Sequence, residues 1–151
     1  MKNRFLFLAF ALVLCLPASP VVRAAESEHK KKDDETELGK TMEKMNGAWR
    51  KLRKQAGDAA SNASSLELVA TIRAGTEQAL TYKPAKAEDL PAADREEFVA
   101  DFRKDMKDFI VQVGKLEQAL KAGDNAAALD LIQKIGVLQK EAHKEFKRPD
   151  K

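Results

Sequence analysis

Residues 92–125, AADREEFVADFRKDMKDFIVQVGKLEQALKAGDN, decide the fold. Phe98, Phe102, Phe109, Val113, Leu116 and Leu120 recur at helical intervals and form one apolar stripe, with Met106 and Ile110 beside it. The spacing predicts a long helix from about Ala92 to Ala122. Gly123-Asp124-Asn125 is a tight stop, after which the period resumes. Downstream, Ala128, Leu131, Ile135, Leu138, Ala142 and Phe146 mark a helix from about Asn125 to Lys147, ended by Pro149. Upstream, Leu38, Met42, Met45, Trp49 and Leu52 mark one over about Glu37 to Lys54. Another starts near Ser64 or Ser65, either of which can cap it, and ends before Pro84. Its weaker stripe is Leu66, Val69, Ile72, Arg73, Thr76 and Leu80. The segment 83–93, with Pro84 and Pro91, is the longest connection. No strand pattern appears. The expected fold is all-α, an antiparallel up-down-up-down four-helix bundle over residues 37–148.

Two segments precede the bundle. Residues 1–24 start with Lys2 and Arg4, continue as an apolar run from Phe5 to Leu16, and close on Val22-Arg23-Ala24. That is the layout of a secretory signal peptide, with an apolar run too short to span a bilayer. Residues 25–36 are almost wholly polar and read as a disordered tail, with His29 as a solvated tail histidine. The full chain has 27 Lys and Arg against 24 Asp and Glu. Lys2, Arg4 and Arg23 leave with the signal, so the exported chain is formally neutral. Neither nucleic acid nor an anionic membrane is an expected partner. The lone Cys15 also leaves, which excludes disulfides, a thiol metal site, a cysteine nucleophile and covalent haem attachment in the exported form. The remainder suits one domain with one core.

The candidate chemistry lies in Met42 and His143. In an up-down-up-down bundle the start of the first helix and the end of the last share one end. Met42 lies roughly 7–8 Å inside the first helix and His143 roughly 6 Å before the end of the last, so the two sit at one height. Met42 is near the centre of its apolar stripe. His143 lies on a shoulder with Gln139 and Ile132, facing the groove between helices. A thioether and an imidazole reaching inward from opposite sides can hold one iron and its macrocycle. Met plus His is the axial pair of many electron-transfer cytochromes. Taken singly, either residue has a structural use: methionine fills cores, and a histidine near a helix C-terminus complements the helix dipole. Met45 and Trp49 are read as core.

Three segments carry a resemblance to a known family. Leu38-Gly39-Lys40-Thr41-Met42-Glu43-Lys44-Met45-Asn46, Phe109-Ile110-Val111-Gln112-Val113-Gly114 with Ala119-Leu120, and Glu141-Ala142-His143-Lys144-Glu145-Phe146-Lys147 resemble the first, third and last helices of the soluble cytochrome b562 family. The resemblance implies one non-covalent haem b per chain, with Met42 and His143 as axial ligands. It places Phe109 in the pocket wall beside Met106 or Phe102. Gln139 stands close to where the family often has arginine, which leaves Lys140, Lys144 and Lys147 to meet the haem carboxylates; Lys147 is the residue taken for that contact.

The implied protein is a periplasmic electron carrier rather than an enzyme. It is expected to be monomeric, free of the membrane after signal removal, and served by unidentified redox partner proteins. No motif in the sequence points to catalysis, and His143 is the one histidine of the folded region. Two other readings compete. One is a haem-free periplasmic helical protein that binds envelope proteins or unfolded clients. The other is a Cu(I) handler using Met42, Met45 and His143.

Overall fold

The computed structural model describes residues 36–149. The signal segment, Cys15 and the polar residues with His29 lie outside the described residues. Four helices follow in order: α1 (Glu37–Gln55), α2 (Asn62–Ala79), α3 (Arg95–Lys121) and α4 (Asn125–Phe146). Short 3-10 turns cover Ala59–Ser61 and Ala85–Asp89. Among the described residues there is no strand.

The helix ends follow from local chemistry. Thr36 caps α1, its hydroxyl oxygen accepting from the Gly39 amide at 2.9 Å. Gly123 stands at φ +72° after α3, where a side chain would be strained. Its amide donates to the Leu120 carbonyl and the Asp124 amide donates to that of Ala119, which closes the helix. Asp124 then caps α4 through the Ala127 amide. Helix α2 begins at Asn62, earlier than expected, because Ser64 and Ser65 do not cap it. Both accept from the Gln55 side chain instead. Helix α3 begins at Arg95 rather than Ala92, after a turn in which the Asp94 amide donates to the Pro91 carbonyl.

The order of packing is up-down-up-down. Consecutive helices pack on one another, α1 on α2, α2 on α3 and α3 on α4. The start of α4 lies at the end of α1, where Asn125 Nδ2 donates to the Ala56 carbonyl at 2.7 Å. Across α2 and α3, the Arg103 guanidinium donates to the Leu80 carbonyl and that of Arg73 to Glu117. These pairs require antiparallel neighbours.

The main core joins Trp49, Leu52, Val69, Ile72, Leu116 and Ile135. A smaller one joins Ala79, Phe102, Met106 and Phe146. Two stripes are rotated from the expectation. On α4, Leu138 is exposed and Ile132 buried, because the helix turns its Ile132–Gln139 shoulder inward. On α2, Arg73 is exposed, and Gly75, Thr76 and Ala79 form the buried line. Gly75 lets α1 approach closely. A Cβ there would stand 2.4 Å from Met45 Cγ and 2.8 Å from Met45 Sδ.

Gly75→Ala should destabilise the fold by about 1–2 kcal/mol, overpacking outweighing the helix propensity of alanine. Combining it with Met45→Ala should be less damaging than the two losses added, as read by a urea double-mutant cycle. Glu117 links α2 to α3 and to its own turn. Its carboxyl is held below its ordinary value, chiefly by the hydrogen bond and charge of Lys121 and then by those of Arg73, against the opposing effect of burial. A depressed folded value means that the stabilisation exists above the unfolded value and is lost as pH falls through the folded one. The stability difference between the wild type and Glu117→Gln should therefore be present at neutral pH and vanish in acid.

Candidate functional site

Helices α1 and α4 pack less closely than the three consecutive pairs. They are fastened at one end, where Asn125 Nδ2 reaches the Ala56 carbonyl that closes α1; Asn125 also exchanges amide hydrogen bonds with Asn62, the first residue of α2. Beside this clasp the Leu129 methyls pack near Gly57. Toward the other end the two helices stand apart, and a cavity of about 380 Å³ opens between them. That is the size of a small-molecule or cofactor site.

Helix periodicity carries His143 to this seam. Asn125 and His143 are 18 residues apart, about five full turns, so they lie on one line along α4. Asn125 faces α1 at the fastened end, and His143 therefore faces α1 at the open one. Met42 lies about 8 Å from the capped start of α1, and His143 roughly 5 Å from the end of α4. Both line the same cavity, from opposite helices. Met42 is half-buried and His143 is exposed. The expected withdrawal of the imidazole from water is not seen, because the open end of the seam admits solvent to that wall.

The rest of the lining is mostly apolar. Phe102, Met106 and Phe109 of α3 form the back wall, with Ala142 and Phe146 of α4. Phe102 and Phe146 meet edge to face at 5.5 Å. Met106 and Phe109, inferred from sequence to be pocket residues, both line the cavity, and so does Lys147. Lys140 and Lys144 are exposed and do not. Met45 is buried against Gly75 and also touches the cavity. Trp49 is core, as expected, yet it also contributes wall. Its Nε1 is buried and has no acceptor among the described residues.

Sequence reasoning missed the segment 84–86. Pro84, Ala85 and Lys86 form one rim of the cavity. Arg148 holds this segment by pairing with Asp89 at 2.6 and 2.9 Å and by donating to the Ala85 carbonyl at 2.9 Å. Lys86 Nζ donates to the Glu145 carbonyl near the end of α4. The only cue in the sequence was a lysine between two prolines in a linker, and its path depends on tertiary contacts.

An antiparallel four-helix bundle with an apolar side cavity between its first and last helices is a scaffold for a bound planar cofactor. The family model for cytochrome b562 matches residues 37–147, and the chain belongs to that family of haem-binding, electron-transfer helical bundles. No curated protein and no solved structure gives a significant match. The lining fits haem: the half-buried Met42 thioether faces the His143 imidazole, Met45 and Met106 add two further thioethers to the walls, and Lys86 and Lys147 supply positive charge.

The clasp is the feature that sets the seam. Asn125→Ala should lower stability by about 1–2 kcal/mol, since it leaves the Ala56 carbonyl and the Asn62 amide without their partner. Urea unfolding monitored by circular dichroism measures this, and Asn125→Asp should recover part of the loss by keeping an acceptor for Asn62.

Proposed function

We propose that the protein is a b-type electron carrier that holds one haem b non-covalently between Met42 and His143. The observation that carries this reading is the placement of a thioether and an imidazole on the facing helices of one apolar cavity. Export to the periplasm is part of the proposal, on the layout of residues 1–24 and the usual location of the family. The exported protein acts as a monomer, with redox partner proteins rather than a substrate.

Bound haem supplies one-electron exchange at iron; the chain supplies ligation, shielding and electrostatics. Met42 offers a neutral, polarisable sulfur, which favours the reduced state and raises the potential. His143 offers a ring nitrogen from the exposed wall, so this side of the site is the one nearest to solvent and to a partner. Phe102, Met106 and Phe109 exclude water from the back of the cavity, lowering the local dielectric. The clasp at Asn125 keeps α1 and α4 from closing or separating, so both ligands stay in place without large rearrangement on a change of charge.

Titration of purified protein with haemin tests this. The expected product is a one-to-one complex with a six-coordinate, low-spin spectrum. Met42→Ala should retain haem, become high-spin and lose reduction potential. His143→Ala should lose haem affinity by about tenfold or more. A wild-type spectrum identical to that of free haemin would overturn the reading and favour the haem-free binder. Tight, haemin-competitive binding of Cu(I) that needs Met42, Met45 and His143 would favour the copper handler.

A further inference from the structure

The geometry points to Lys86, together with Lys147, as the pair of cations that receives the two carboxylates of the bound porphyrin and so sets its orientation. This rests on the haem reading above and deepens it.

Haem b carries its two carboxylates on one edge, and that edge must lie at one end or the other of the cavity. The polar groups differ between the two ends. Toward the fastened end lie Trp49 Nε1, buried and without an acceptor among the described residues, and the neutral amide of Asn46. Neutral donors without a cation do not offset the desolvation of a carboxylate. Toward the open end lie Lys86 and Lys147, the two cations in the cavity lining. They come from different parts of the chain and meet near the end of α4. Lys86 donates to the Glu145 carbonyl, two residues before Lys147. The lone carboxylate in the lining, the exposed Glu43, also lies toward the open end, on α1, so that end keeps two cations against one anion. Charge therefore turns the acid edge toward the linker and the end of α4.

Lys86 is also held in position. The 3-10 turn Ala85–Asp89 carries it, and the Arg148 pair with Asp89 ties that turn to the tail of α4. Its ammonium sits 6.0 Å from the centre of the Phe98 ring, which packs on Phe146 at 5.2 Å. An ammonium already ordered over an aromatic surface loses little freedom on meeting an anion, unlike a lysine free in water. Gln139, a neutral residue in the lining, cannot take this part.

The test compares haemin with its dimethyl ester, which keeps the iron and ring and lacks both carboxylate charges. Lys86→Met should weaken haemin binding about three- to tenfold. It should leave the ester within about twofold of wild type and leave the low-spin spectrum intact. Lys86→Arg should restore most of the loss, and Lys83→Met, on the same linker and exposed, should change nothing. An unchanged haemin affinity in Lys86→Met overturns the assignment. An equal loss for haemin and ester also overturns it, since the lysine would then serve only the packing of the linker. A wild-type protein that gives a low-spin complex with neither porphyrin overturns the haem reading itself, and this assignment with it.

Discussion

The structure depends on a seam that is fastened at one end and open at the other. Three helix pairs close over apolar side chains; the fourth, α1 with α4, is joined where Asn125 reaches the Ala56 carbonyl at the end of α1, beside its bonds to Asn62 at the start of α2. The clasp is polar and local, so it fixes spacing without filling the groove. A fully apolar seam would collapse, because burial is non-directional and rewards every contact removed from water. A seam with no clasp would let α4 drift on the short turn at Gly123. The cavity exists because neither happens.

The other end of the seam is bordered by chain rather than by helix packing. The turn Ala85–Asp89 crosses to the end of α4 and is tied there by Arg148 and Lys86. The cavity thus has an apolar back on α3, a thioether and an imidazole on its side walls, and lysines at its rim. In the proposed carrier, the apolar back wall shields the cofactor and the exposed His143 side is the one open to a partner.

Much of this was legible in the sequence, for reasons that can be named. The α3 stripe from Phe98 to Leu120 and the Gly123 stop define helix type and antiparallel order through period and turn chemistry alone. Heights also follow from counting: Met42 lies a fixed number of residues from the helix start near Glu37, and His143 a fixed number from Pro149, although Thr36, read as tail, is in fact the cap of α1. Azimuth is harder. The stripe of α4 was centred too near Leu138, because an alternating set of apolar residues cannot say which flank neighbours α1 and which meets α3. The Ile132–Gln139 flank wins, and it brings His143 with it. Ser64 and Ser65 looked like caps, yet Gln55 from the preceding helix claims both, a contact invisible to local pattern. Lys86 was illegible for the same reason: a linker lysine becomes a rim residue only through Arg148, more than fifty residues away. The exposure of His143 likewise depends on how far α1 and α4 splay, which no periodicity encodes.

The central claim is that one sulfur and one ring nitrogen from opposite sides of this seam meet a single iron. X-ray absorption at the iron K-edge of the reconstituted protein tests it most directly. The account predicts one sulfur scatterer with five nitrogens, the sulfur disappearing in Met42→Leu and persisting in Met45→Leu. A coordination shell of nitrogen and oxygen alone, or a sulfur that survives the loss of Met42, would contradict it.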